Sequence, residues 1–249
     1  MRRFPGVVLK QGYCGYTDFA NNVTGNSIDL LTKYLDYTFC DAVEALSGTT
    51  PHGSTIYSCS EDMPKSLCLP VASKPPYSRV IAYLTRSRGI SLRTVQRLIA
   101  SELLYQDAEH GNAVFVNRDR DYCEIRGTLT YGKPFHGCLR SSPNCFWSFG
   151  RPTGDAHTAY ICEAAIDAIS LFEILSSRGS VNAIFCSIGG VANQRAIQTI
   201  ADRYNAVLAV DNDEAGLKCR ERNPGLNCMI SIRKDWNEDL LAMKAARGP

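Results

Sequence analysis

From residue 155 to residue 249 the chain alternates short apolar runs with stretches of helical periodicity. The runs lie at 159–162, 183–186, 206–210 and 228–232, and each leads into a helix-patterned segment, at 164–176, 192–204, 214–222 and 237–246. A run of four or five apolar residues with no polar face has to be covered on both sides. Strand and helix in strict alternation satisfy this by right-handed crossovers onto a parallel sheet. The expected fold class is therefore α/β: a four-stranded parallel sheet in the C-terminal part, preceded by a smaller α+β region.

The upstream sequence is less regular. Ile28, Leu30, Leu31, Tyr34 and Leu35 recur at helical spacing behind Ser27, a candidate N-cap, and a second short helix is expected over 39–46 with Ala42, Val43 and Leu46 inward. Residues 51–76 lose periodicity, are dense in Gly, Thr, Ser and Pro, and read as a linker. Helices are expected over 77–84 and 91–100, the latter burying Leu92, Val95, Leu98 and Ile99. A hairpin of 113–116 and 122–126 follows, with 146–149 as its third strand. These boundaries divide the chain into 1–50, a linker at 51–76, 77–154, and 155–249.

Composition excludes whole classes. Apolar residues make up 45% and charged residues 21%, too apolar and too weakly charged for a disordered chain. No run approaches the roughly 18 residues of a membrane span, and the first residues do not read as a secretory signal, so a cytoplasmic protein without membrane contact is expected. The 11 cysteines are odd in number and widely spread, so they read as free thiols. No Cys-x2-Cys pair occurs, and the closest cluster, His136, Cys138 and Cys145, lacks zinc-site spacing; no zinc is expected. The net charge of +2 decides little, but Arg79, Arg86, Arg88, Arg93 and Arg97 occupy a stretch free of acids that suits phosphates as well as it suits a solvated helix face.

Ligands of open α/β sheets bind beyond the carboxyl ends of the strands. There the sequence places Glu163 after the first run, Asp211 and Asp213 after the third, and Lys234 and Asp235 after the fourth. Asp213 and Asp235 also suit helix N-caps, and Asp167 suits a surface position one turn beyond Glu163. Glu163 is a poor cap. If the first and third strands are neighbours the acids converge, and oxygen-only clusters of this kind favour Mg²⁺ or Mn²⁺. Gly189 and Gly190, after the second run, let backbone amides approach a phosphate, or simply make a tight turn.

Two motifs, Ile161-Cys-Glu-Ala-Ala-Ile-Asp-Ala-Ile-Ser170 and Val210-Asp-Asn-Asp-Glu-Ala-Gly216, resemble the Toprim domain of bacterial primases, topoisomerases and some nucleases. Tyr83-Leu-Thr-Arg-Ser-Arg-Gly-Ile90 is similar to the entry of a primase catalytic core, and 25–46 resembles the second half of a primase zinc-binding domain from which the zinc ligands are missing. Ala164 stands where many primases carry glycine. The resemblance implies a Rossmannoid Toprim domain at 155–249, a primase-core-like domain at 77–154 and a degenerate, zinc-free module at 1–50. It further implies Glu163, Asp211 and Asp213 as catalytic and metal-binding acids, with Asp235 as a fourth. Arg79, Arg86, Arg88, Arg93, Arg97, Gly189, Gly190 and Lys234 are the expected nucleic-acid or phosphate contacts.

The leading expectation is thus a Mg²⁺-dependent (or Mn²⁺-dependent) primase-like nucleotidyltransferase of mobile-element or plasmid replication. Its expected partners are single-stranded DNA, nucleotide triphosphates and, as a candidate protein partner, a replicative helicase or relaxase. The alternatives are a Toprim nuclease and a non-catalytic accessory protein that binds single-stranded DNA. An ATPase-linked nuclease is disfavoured by the absence of Gly-x4-Gly-Lys-Ser/Thr.

Overall fold

The computed structural model describes residues 7–9, 15–19, 23–35, 37, 42, 45–46, 67–129, 135–150, 152 and 157–247. They fall in two compact units, Met1–Asp62 and Met63–Pro249.

In the first unit, β1 (Val7–Leu9), β2 (Gly15–Asp18) and β3 (Val23–Asn26) form an antiparallel meander leading into α1 (Ser27–Tyr34). These strands were not anticipated from the sequence. The N-cap is Asn26 rather than Ser27: its Oδ1 accepts from the Asp29 amide at 2.8 Å, and the Asp29 carboxylate accepts from the Asn26 amide at 3.1 Å. This reciprocal capping box serves two amides, more than one hydroxyl can reach. Val7, Tyr16 and Leu30 make the small core, with Tyr34 packed against it. Of the helix expected over 39–46, Ala42 is buried but Leu46 is exposed; Val43 and most of its neighbours lie outside the described residues.

Of residues 51–76, those up to 66 lie outside the described residues. Residues 70–73 run along the second unit's first strand, where Ala72 bridges to Asp107, Ser73 donates to the Gln106 carbonyl and Tyr105 donates its hydroxyl to the Pro70 carbonyl. This stretch is held by backbone pairing.

The second unit opens with α2 (Ser78–Ala82), which widens into a π turn (Tyr83–Ser87), and α3 (Leu92–Ala100), capped by Ser91. Leu92 is exposed; Thr94 is buried instead, because its hydroxyl and that of Ser91 donate to Glu173. An antiparallel sheet follows in the order β4 (Leu104–Gln106), β5 (Ala113–Val116), β6 (Tyr122–Arg126), β7 (His136–Arg140).

The expected parallel sheet is present. Its strands β9 (Thr158–Cys162), β10 (Ala183–Ser187), β11 (Asn205–Leu208) and β12 (Asn227–Cys228) alternate with α4 (Ala165–Ser176), α5 (Gln194–Ala201), α6 (Glu214–Arg222) and α7 (Trp236–Arg247). The order is β12-β11-β9-β10-β8, so β9 and β11 are neighbours. Two details differ from expectation. The run at 146–149 gives β8 (Trp147–Phe149), which extends this sheet antiparallel to β10 instead of joining the hairpin. It is drawn there by rings, Phe149 stacking on Phe185 at 5.5 Å. The fourth strand stops at Cys228, because Asp239 takes the amides of Ile232 and Arg233, at 2.7 and 2.9 Å, into its own carboxylate.

One core joins 77–154 to 155–249: Val80, Leu84, Leu98, Phe115 and Trp147 belong to the same buried cluster as Ile169, Leu171 and Phe185. Trp147 is fully buried, meets Phe115 edge-on at 5.6 Å and donates its indole N–H to the Leu103 carbonyl at 3.1 Å. Trp147→Ala should therefore lower stability by about 3–5 kcal/mol, read as a fall in the urea midpoint.

Candidate active site

Parallel pairing sets the site. Leu208 lies opposite Ile161, and the Ala209 amide donates to the Ile161 carbonyl at 2.8 Å, so the chain segments ending in Glu163 and Asp211 leave the sheet side by side. The two carboxylates are only partly exposed, and each keeps one buried oxygen, Glu163 Oε2 and Asp211 Oδ1, that no hydrogen-bond donor among the described residues reaches. Burial raises the Asp211 carboxyl to about 7, and the charges of Glu163, Asp235 and Asp213 add to the effect while Lys234 opposes it. Burial also raises Glu163, reinforced by Asp213 and opposed by Arg126 and Lys234.

Asp213 does both things the sequence left open. It caps α6, its Oδ1 accepting from the Gly216 amide at 2.9 Å, and its charge acts on Glu163 and Asp211. Asp235 likewise accepts from the Glu238 amide at 2.8 Å at the start of α7 while its charge acts on Asp211. Gly216 is dictated by proximity: a Cβ there would stand 1.9 Å from the Asp211 carbonyl oxygen, so no other residue lets α6 begin so close to the rim.

Asp167 is no surface residue. It is buried one turn beyond Glu163, accepts from the Asn237 amide at 3.3 Å, and has its carboxyl pushed well up by burial and by the neighbouring Asp211 and Asp235.

The expected phosphate contacts divide. Arg79, Arg86, Arg93 and Arg97 are exposed and make no ion pair among the described residues. Arg88 is engaged internally: it donates to the Tyr83 hydroxyl at 2.9 Å and to Asn237 Oδ1 at 3.4 Å, and its guanidinium lies over the Tyr83 ring. Gly190 donates its amide to the Glu163 carbonyl at 3.1 Å. Gly189, at φ +66°, packs so tightly that a Cβ would stand 2.6 Å from the Tyr122 hydroxyl. Both glycines thus serve the turn itself, and Gly190's amide is already used. Lys234 is exposed, with its charge acting on Glu163 and Asp211.

Sequence reasoning missed Glu124 and Arg126, both on β6. Glu124 is buried, and its Oε2 accepts from the Ala165 amide at 2.9 Å and from Ser187 Oγ at 2.8 Å. One sign was legible in retrospect: α4 begins behind Ala164, which has no side chain able to cap it, so a helix end short of acceptors had to be served from elsewhere.

Among the described residues, no three His, Cys, Asp or Glu side chains form a metal-holding group, His136, Cys138 and Cys145 included. Mg²⁺ does not need a closed protein cage; it binds through one or two carboxylates and completes its shell with water and substrate phosphates. The unpartnered oxygens of Glu163 and Asp211, with Asp213 beside them, fit an open site of that kind.

A family of Toprim-like sequences matches residues 160–240. Residues 160–240 are a Toprim-like domain. A second family, described as a protein of unknown function (DUF3991), matches residues 82–156, the segment holding α3 and the antiparallel sheet. Among solved structures, the chain is similar to the primase fragment of the bacteriophage T7 primase-helicase protein, with 16% identity and a TM-score of 0.50 over 96% of this chain and 90% of that one. It thus has a primase-like fold. A second similarity is to a chain in the structure of bacteriophage T7 lagging-strand DNA polymerase interacting with primase domains bound to an RNA/DNA hybrid and dTTP (21% identity, TM-score 0.42, 63% of this chain and 83% of that one). No curated protein matches.

The raised Asp211 carboxyl has a stability consequence. Its folded-state value lies above the unfolded 3.8, so the stability it contributes is complete below pH 3.8 and is lost as pH rises through about 7. Without divalent cations, chemical denaturation across that window should show stability falling with pH, and Asp211→Asn should flatten the slope.

Proposed function

We propose that this protein catalyses primase-like nucleotidyl transfer on single-stranded DNA, dependent on Mg²⁺ or Mn²⁺, in the replication of a plasmid or mobile element. The observation that carries the reading is the pair of buried, unpartnered carboxylate oxygens on Glu163 and Asp211 at the ends of adjacent parallel strands. Concentrated negative charge of this kind repels a bare triphosphate, so it suits a substrate that arrives with a cation. The primase-like fold adds support.

In this reading Glu163, Asp211 and Asp213 hold the cation, and Asp235 adds to the field around it. When bound, the cation neutralises charge on the transferring phosphoryl group. Lys234 and Arg126, on the flanks of the acidic rim, orient the triphosphate oxygens. Glu163, its carboxyl raised by burial, would take the proton of the attacking 3′-hydroxyl as that oxygen bonds to the α-phosphorus and the α–β phosphoanhydride bond breaks to release pyrophosphate. Exposed Arg79, Arg86, Arg93 and Arg97 hold template phosphates, whereas Arg88 stabilises the wall behind the rim. A replicative helicase or relaxase would deliver the template.

Incubating the protein with single-stranded DNA, Mg²⁺ and labelled ribonucleotides should yield short oligoribonucleotides, and replacing Asp211 and Asp213 together by alanine should abolish them. Unchanged synthesis refutes the site, and shortened DNA without synthesis favours a nuclease. Arg93→Ala with Arg97→Ala should lower the slope of log K against log salt by about 0.7 for each single-strand phosphate that the variant no longer neutralises, leaving the fold intact by circular dichroism.

A further inference from the structure

Glu124 stands where three elements meet: β6, which carries it, the first turn of α4, and the end of β10. Its two oxygens divide the work. Oε2 accepts from the Ala165 amide and the Ser187 hydroxyl, while Oε1 faces Arg126 Nε at 3.3 Å. The Glu124 side chain is 5% exposed and the Arg126 side chain 27%. Ala165 follows directly on the turn at Glu163, whose carbonyl is bonded by the Gly190 amide, so that turn is pinned from both sides.

Arg126 is close enough for its charge to favour ionisation of both Glu163 and Asp167. Even so, among the described residues its ion pair is with Glu124, and Glu163 Oε2 is left without a donor. A guanidinium beside an unpartnered carboxylate would ordinarily close a forked pair with it. Arg126 Nε lies instead 3.3 Å from the carboxylate two residues back on the same strand.

We propose that Glu124 is a positioning residue that holds Arg126 back from the acidic rim, keeping the carboxylate of Glu163 open to a divalent cation and the guanidinium free for a phosphate. The proposal rests on reading Glu163, Asp211 and Asp213 as the cation site. It extends to β6 a function that the Toprim motifs place only on the parallel sheet. The same arrangement accounts for a buried acid in a strand otherwise suited to apolar residues: the charge is compensated by one amide, one hydroxyl and one guanidinium.

Glutamine separates Glu124's two contributions. In Glu124→Gln the amide oxygen can still accept from Ala165 and Ser187, so the cap survives, but the NH₂ group faces Arg126 and can only repel it. Binding of Mn²⁺ by the full chain is followed from the electron paramagnetic resonance signal of the free ion. Glu124→Gln should weaken binding about tenfold, as expected for loss of an outer-shell partner, and adding Arg126→Ala should restore it. A damaged fold would not be repaired by removing a second side chain, so restoration distinguishes positioning from structural support. Parent-like binding in Glu124→Gln, or no recovery in the double variant, overturns the proposal. Should Glu124→Gln fail to fold, Arg126→Ala alone decides: binding at least as tight as the parent's supports the proposal, and weaker binding overturns it. A parent chain that leaves the Mn²⁺ signal unchanged overturns the cation-site reading itself, and the proposal with it.

Discussion

Parallel pairing of β9 with β11 delivers two carboxylates to the same edge of one sheet, where burial raises the affinity of both for a proton and the charge of Glu163 adds to the effect on Asp211. Left alone, such an edge would relax by turning the side chains outward or by recruiting a cation from the protein. Here it does neither: two oxygens stay buried and unpartnered. The surrounding structure is organised around that unresolved charge.

Several features follow from keeping the rim tight. Gly216 lets α6 start against the Asp211 carbonyl, and Asp213 is tied to that helix by the cap it supplies. Asp167, fully inside, closes the floor with Asn237, whose side-chain amide reaches the Arg88 carbonyl at 2.8 Å and Ser170 Oγ at 3.0 Å. Arg88 is therefore part of the wall, and a basic residue read from sequence as a phosphate contact has become a brace. Opposing charge comes from Lys234 and Arg126, which soften the rim's potential without closing on it.

The antiparallel sheet is as much part of this arrangement as the parallel one. Phe115 on β5 belongs to the same core as Trp147, Ile169 and Phe185, and Glu124 and Glu173 reach between elements to serve helix ends that lack caps of their own or share them. Such ties mean that α4, which follows directly on Glu163, is positioned by residues from both sheets.

The alternation of apolar runs and helical periods was enough to specify a parallel α/β sheet, and the Toprim motifs drew attention to Glu163, Asp211 and Asp213 as candidates, because both signals are local in the chain. The strand order, the destination of β8 and the early end of β12 were not legible, since ring stacking on Phe185 and the capture of two amides by Asp239 depend on partners far along the sequence or on competition with pairing. The β1–β3 meander was likewise hidden in a sequence without clear period-two patterning. Composition and spacing determined which residues had to be buried and which acids could meet. Only the tertiary structure decided that Asp167 is interior, that Arg88 and Gly190 are already engaged, and that Glu124 pairs with Arg126. The reason is physical: a side chain's chemistry is local, but whether its hydrogen bonds and charge remain available is set by what folding brings against it.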